Sequence, residues 1–317
     1  MNIAFIIDPF VSLNPKKDSS LELIRAAQLR HHETVVIEQH NLQLNHHQVE
    51  AFGHQVFYDS QKGHYLGNSV KCSLTEFDAV IMRVDPPLSM NYIVTTYLLE
   101  TAERQGVLVL NKPNSLRTYN EKLSTTLFPQ FIPPLLVTSR PEEIKAFVID
   151  HQEVILKPLD AMGGSGIFKV TPQDANLNVI IETLTHHSTR AIMAQRFIPA
   201  IKEGDKRVLV INGIPAEHAL ARIPQKGETR GNLAAGGQGV AMPLTEKEKE
   251  IALTLSPFLI DKGLFIVGLD IIGGFLTEIN VTSPTCMKEI RDQTGEDIAE
   301  KTIIEIERSL TTRSPRH

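Results

Sequence analysis

The stretch from Val267 to Thr285, VGLDIIGGFLTEINVTSPT, constrains this chain more than any other. An apolar run reaches an acid, Asp270, then a Gly273-Gly274 pair, then a second short run carrying Glu278 and Asn280. Two extended segments meeting at a Gly-Gly turn predict a β-hairpin. Three oxygen-bearing side chains on such a hairpin suit Mg²⁺, a hard cation that prefers carboxylates and substrate phosphates. They equally suit ordinary solvent-facing positions on an antiparallel strand.

Strand geometry separates the two readings. Glu278 and Asn280 are two apart and share a strand face. A two-residue turn at Gly273-Gly274 pairs Asp270 with Thr277 and sends Asp270 to the opposite face. One more residue in the loop pairs it with Leu276, on the face of Glu278 and Asn280. The metal reading therefore demands a three-residue or bulged turn.

A chain of 317 residues exceeds one small core and predicts two or three domains. A net charge of −5 without a long basic run argues against a nucleic-acid partner. Cys72 and Cys286 make neither a disulfide framework nor a zinc site. The opening MNIAFIIDPF lacks a basic region before its apolar run and is broken by Asp8, so it reads as a first strand rather than a signal peptide. No apolar run approaches membrane-spanning length. A cytoplasmic location and no membrane partner are expected.

In order, residues 2–7 form a buried strand, Asp18, Ser19 or Ser20 caps a helix, and residues 34–38 form a second strand. Residues 41–75 are polar and His-rich, with short strands expected around 56–58 and 65–66. Strands over 79–83 and 107–110, with a helix over 92–104 between them, complete a parallel α/β domain spanning 1–118. In such sheets ligands sit beyond the carboxyl ends of the strands, where Ser19, Ser20, Arg83 and Asp85 fall. A central domain over 119–194 follows, with a helix starting at 120–123. Its strand Val154–Pro158 ends in Lys157-Pro158, and a loop with Gly163, Gly164, Ser165 and Gly166 leads to another strand rather than a helix. This is neither a P-loop nor a Rossmann turn. It is a flap whose bare backbone N–H groups can face phosphates, with Lys157 supplying charge. A plain hairpin with a long loop is the simpler alternative, though lysine is rarely buried unpaired. Residues 195–312 form a third domain. There a strand near 204–211 turns at Asn212-Gly213, and the glycine-rich segment 223–239, with Arg230 and Asn232, reads as a lid. Thr245 caps a helix, the opening hairpin follows, a closing helix spans 292–310, and 313–317 fray.

This order of parts, with MRVDPP, NEKL, ILKPLDAMGGSGIFKV, EGDKRVLV and the hairpin stretch, resembles the ATP-grasp superfamily and, within it, the bacterial glutathione synthetases, over nearly the whole chain. The resemblance implies a mixed α/β ATP-grasp fold with an N-terminal parallel-sheet domain, a central lid domain and a C-terminal antiparallel-sheet domain. It implies a ligase joining γ-glutamylcysteine to glycine at the expense of ATP through an acyl phosphate. It implies two Mg²⁺ on Asp270, Glu278 and Asn280, with Mn²⁺ as a substitute. Lys122 and Lys157 would bind phosphates under the 163–166 loop, Gln195, Arg196, Phe197 and Ile198 would hold adenine, and Asp205 the ribose. Arg207, Arg230 and Asn232 are the implied catalytic residues. Arg222, Ser283 and Thr285 would seat glycine, and Asp18, Ser19, Ser20 and Arg83 the dipeptide. A homodimer or homotetramer is implied. A D-alanine–D-alanine-type ligase and an ATP-binding regulatory module without turnover are the rival readings.

Overall fold

The computed structural model describes residues 1–225, 231 and 236–312. Arg230, Asn232 and the tail 313–317 lie outside the described residues. The strands fall into three sheets, taken up successively along the chain.

The first sheet holds β1 (Asn2–Ile7), β2 (Glu33–Glu38), β3 (Leu42–Asn45), β4 (Gln48–Asp59), β5 (Gly63–Ser73), β6 (Ala79–Met82) and β7 (Leu108–Leu110). Its order is β3-β4-β2-β1-β6-β7, with β5 on β4. The β2-β1-β6-β7 part is parallel. Both faces of β1 are covered, which is why it reads as an unbroken apolar run, NIAFII. The helix α1 (Ser19–Leu29) starts at Asp18, whose carboxylate accepts from the Leu21 amide. The helix α2 (Met90–Arg104) lies between β6 and β7, and α3 (Pro113–Thr118) closes the unit. Residues 42–73 correct the expectation of two short strands: β3, β4 and β5 form an antiparallel meander, with β4 and β5 a long hairpin. Its inward positions, Val49, Ala51, Gly53 and Val56, alternate with outward ones that include Phe52 and Phe57 beside polar residues, and in β5 only Cys72 is buried. A strand with so little apolar content leaves a weak pattern.

The second sheet is small and antiparallel, in the order β10-β9-β11-β8. It comprises β8 (Leu135–Thr138), β9 (Val154–Pro158), β10 (Phe168–Val170) and β11 (Ile192–Arg196). The helices α4 (Pro141–His151) and α5 (Leu177–Leu184) accompany it. The helix expected from 120–123 is only a 3₁₀ stretch, Leu123–Leu127, because Asn120 turns the chain with its own side chain on the amides of Lys122 and Leu123.

The third sheet runs β15-β14-β12-β16-β17, with β13 on β12. Its strands are β12 (Asp205–Ile211), β13 (Ile214–Pro215), β14 (His218–Ile223), β15 (Gln238–Pro243), β16 (Ile266–Ile272) and β17 (Phe275–Asn280). The helix α6 (Glu246–Asp261) is capped by Thr245, as the sequence predicts. The single closing helix is two: α7 (Met287–Thr294) and α8 (Ile298–Thr312). Gly295, with φ of 80°, takes the left-handed conformation that ends the first. No helix among the described residues is long and apolar enough to cross a membrane.

The first and third sheets share their cores, with Ile6, Val80 and Leu99 packing in one body with Val208, Leu255 and Leu269. The second sheet keeps a separate core of Ile144, Val148, Leu156, Ile181, Leu184 and Ile192. The central unit is therefore a module resting on a two-sheet base.

Candidate active site

The hairpin of β16 and β17 turns on two residues, not three. Ile272 opposes Phe275 across Gly273 (φ 55°) and Gly274 (φ 79°). Both conformations suit glycine, and a Cβ at 273 would lie 2.7 Å from that of Ala200. The additional residue sits in the strand instead. A bulge lets Thr277 slip out of register, so Asp270 opposes Glu278 and Gly268 opposes Asn280. The Thr277 hydroxyl donates to the Asp270 carbonyl at 3.0 Å. The two acids therefore share a face, as the metal reading demanded, by a strand bulge of the kind that re-aims side chains beside active sites.

Charge is dense there. Arg207, opposite Asp270 on β12, grips it through Nε at 2.5 Å and Nη2 at 3.0 Å. Arg222, opposite Asp205 on the ladder of β12 and β14, bridges Asp205 at 2.5 Å and Asp270 at 2.8 Å. Burial raises the Asp270 carboxyl, but the two guanidiniums outweigh it and hold the group well below the usual carboxylate range. Asp205 goes the other way, pushed up by burial more than Arg222 draws it down. Lys157 is buried and its ammonium is shifted down by desolvation, with Glu278 at 3.9 Å opposing the shift. Lys122 lies 3.4 Å from Glu278 and donates to the Ala161 carbonyl at 2.8 Å, tying the 159–166 loop to the hairpin.

Two clefts meet at these charges. One runs between the second and third sheets. It is lined by Lys122, Lys157, Gly163, Gly164, Ser165, Gln195, Arg196, Phe197, Ile198, Asp205, Asp270 and Glu278. Gly166 does not line it; a Cβ there would press on Pro158 at 3.2 Å. Gln195 Nε2 and Asp205 Oδ1 are buried without a hydrogen-bond partner in the protein, the condition of groups awaiting a ligand or water. The other cleft is lined by Asp18, Arg207, Arg222, Asn280, Ser283 and Thr285, with Asp8, Lys17, Asp85, Glu121 and Glu289. Met162 and Gly163 line both, so the glycine loop roofs the junction.

The structure does not bring every expected residue into a cleft. Ser19 and Ser20 are buried and occupied, accepting from the Met287 amide and from Arg83 Nε. Arg83 sits behind the 281–285 loop, giving Nη2 to the Pro284 carbonyl at 2.9 Å. Glu121 escaped the sequence reading. Its neighbour Lys122 drew attention, and its partners lie 160 residues away.

A model of the prokaryotic glutathione synthetase ATP-grasp domain matches residues 121–295, and that of the N-terminal domain matches 1–117. The chain belongs to the prokaryotic glutathione synthetase family. Curated glutathione synthetases agree along the full length: that of Nitrosomonas europaea is 51% identical, covering 99% of this chain and 100% of its own. That of Pseudomonas putida is 50% identical, covering 99% of each. The chain carries the activity of this family, that of an ATP-dependent carboxylate–amine ligase. Among solved structures, D-cycloserine synthetase superposes with a TM-score of 0.68 at 14% identity, covering 98% of this chain and all of that one. The ATP-grasp ligase PsnB, complexed with minimal precursor, Mg and ADP, gives 0.61 at 17% identity, covering 98% of each. Both establish the ATP-grasp fold.

Proposed function

We propose that the enzyme joins γ-L-glutamyl-L-cysteine to glycine, with the nucleotide in the first cleft and the peptide and amine in the second. The observation that carries this is the meeting of the clefts at Arg207, Asp270 and Arg222 beneath Gly163. A carboxylate is a poor acyl donor. Transfer of the ATP γ-phosphoryl group to the dipeptide's C-terminal carboxylate breaks the β–γ phosphoanhydride bond, releases ADP and makes an acyl phosphate. The glycine amine then attacks the acyl carbon, the C–N bond forms, the nitrogen gives up a proton, and inorganic phosphate leaves with the C–O bond electrons.

Such chemistry needs positioning and charge neutralisation more than covalent help. Lys122 and Lys157 neutralise phosphates beneath the 163–166 loop. Gln195 Nε2, Arg196, Phe197 and Ile198 bind the base, and Asp205 the ribose. Arg207 stabilises negative charge on the acyl phosphate and the tetrahedral intermediate, a task in which one donor is worth about 3 kcal/mol. Arg222, Ser283 and Thr285 seat glycine, and Asp18 with its neighbours holds the dipeptide. Arg230 and Asn232, in the lid segment, guard the acyl phosphate from water. Asp270, Glu278 and Asn280 fit Mg²⁺ by donor chemistry: two carboxylates face each other on the ladder, and an amide oxygen follows on the same face. Two ions held there, with Mn²⁺ as a substitute, would neutralise charge on the ATP phosphates. Residues 1–118, 119–194 and 195–312 are the three functional domains, in a homodimer or homotetramer. A cytoplasmic enzyme, where ATP and reduced thiols coexist, fits this chemistry.

The test is direct. Purified protein given γ-glutamylcysteine, glycine, ATP and Mg²⁺ should release one phosphate per glutathione formed. No phosphate from that pair overturns the proposal, and turnover only with D-alanine moves the enzyme to another ligase class.

A further inference from the structure

We infer that Glu121 is a positioning residue that pre-forms the seat of the attacking amine; this rests on the placement of glycine at 281–285 proposed above. Glu121 stands where the second sheet's module leaves the base, one residue before Lys122 of the nucleotide cleft. Its Oε1 accepts from the Val281 amide at 2.9 Å, the Thr282 amide at 3.1 Å and the Thr282 hydroxyl at 2.9 Å. Its own carbonyl accepts from the Ile279 amide at 2.8 Å. The edge strand β17 and the turn after it are thus fastened to one residue of the linking segment.

The clamp matters because the turn has little else to fix its entry. Residues 281–285 belong to no strand or helix, so their backbone donors need partners from elsewhere. Asn111 Nδ2 holds the Val281 carbonyl at 2.6 Å, and Arg83 holds the Pro284 carbonyl. Those contacts fix carbonyls; Glu121 alone, among the described residues, supplies side-chain acceptance to the Val281 and Thr282 amides. The carboxylate also lines the second cleft beside Thr282, Ser283 and Thr285. One residue along, Lys122 reaches Glu278 and the glycine loop. The dipeptide 121–122 therefore couples the amine seat to the phosphate-binding groups through the backbone.

Steady-state kinetics on the full enzyme test this. E121A should raise the KM for glycine by about tenfold or more, the scale of one or two lost charge-assisted hydrogen bonds, with the KM for ATP within about twofold. E121Q, which keeps a carbonyl oxygen at the clamp, should recover most of the loss. Should E121A fail to fold, judged by its thermal transition, E121D carries the same test, since it retracts the carboxyl by one methylene. An unchanged glycine KM in E121A or E121D overturns the inference. So does a parallel rise for ATP, or an E121Q as impaired as E121A. S283A and T285A serve as the control on the site itself: if neither shifts the glycine KM, the placement of glycine fails, whereas a shift there without one at 121 removes only the role of Glu121.

Discussion

Asp270 is 3% exposed and carries two guanidiniums on its carboxylate. Replacing it by Asn leaves Arg207 buried without its counter-charge and Arg222 with Asp205 alone, which costs about 3–5 kcal/mol, measurable by urea unfolding at pH 7. The pH dependence has a definite sign. The folded carboxyl titrates below its ordinary value of about 3.9, so its stabilisation is complete above that pH and is lost as pH falls towards the folded value. The stability gap between wild type and D270N should therefore narrow on acidification below about pH 4; a gap constant from neutral pH to pH 3 contradicts the ion-pair account. Lys157 gives a second prediction. Its ammonium is buried against Glu278, and in K157A kcat/KM for ATP should fall by roughly 30-fold to a few thousand-fold, the cost of truncating one member of a buried charge pair. Lys157 was legible because a lysine inside an apolar strand needs a reason. Glu121 was not, because nothing local marks a glutamate whose partners are brought to it only by the fold.

The hairpin shows how far a pattern reaches at the level of elements. Face-sharing by Asp270 and Glu278 followed from the periodicity of strands once metal binding was supposed, but the position of the irregularity did not. The Gly-Gly pair is compatible with either loop length; the structure takes the two-residue form, and its packing on Ala200 leaves no room for a side chain at 273. The long hairpin of β4 and β5 was obscure for the opposite reason, since its outward face mixes polar residues with exposed Phe52, Phe57, Tyr65 and Leu66, which blurs the period-two rhythm. Helix starts were plainer because their chemistry is local. Thr245 accepts from the Glu248 amide at 3.3 Å, and the Glu248 carboxylate accepts from the Thr245 amide at 2.9 Å. T245A should cost about 1 kcal/mol of stability and leave both KM values unchanged. A thermal scan and one kinetic series check it. A large KM change would mean that α6 positions the site through the Lys206–Glu248 pair beside Arg207.

The whole molecule is a two-sheet base with a separately cored module above it, and this division sets how the site closes. Burial of apolar surface holds sheets one and three together, whereas the module carries its own core and meets the hairpin through polar links. Among the described residues these include two charged links, Lys122 and Lys157 to Glu278, and a neutral one, Asn120 donating to the Leu159 carbonyl at 2.9 Å. Separately cored units joined by such links open at lower free energy than the cores themselves. Glu278 is then both a proposed metal ligand and an anchor of the module. E278Q should speed amide hydrogen exchange in β9, β10 and the loop between them before nucleotide is added, while exchange in β1 and β6 stays as in wild type. A non-hydrolysable ATP analogue with Mg²⁺ should slow exchange across the same segment in wild type, because a ligand spanning the cleft favours the closed arrangement by mass action. If E278Q instead accelerates exchange in all three sheets alike, the module is not an independent unit and the charges at Glu278 act on the global fold.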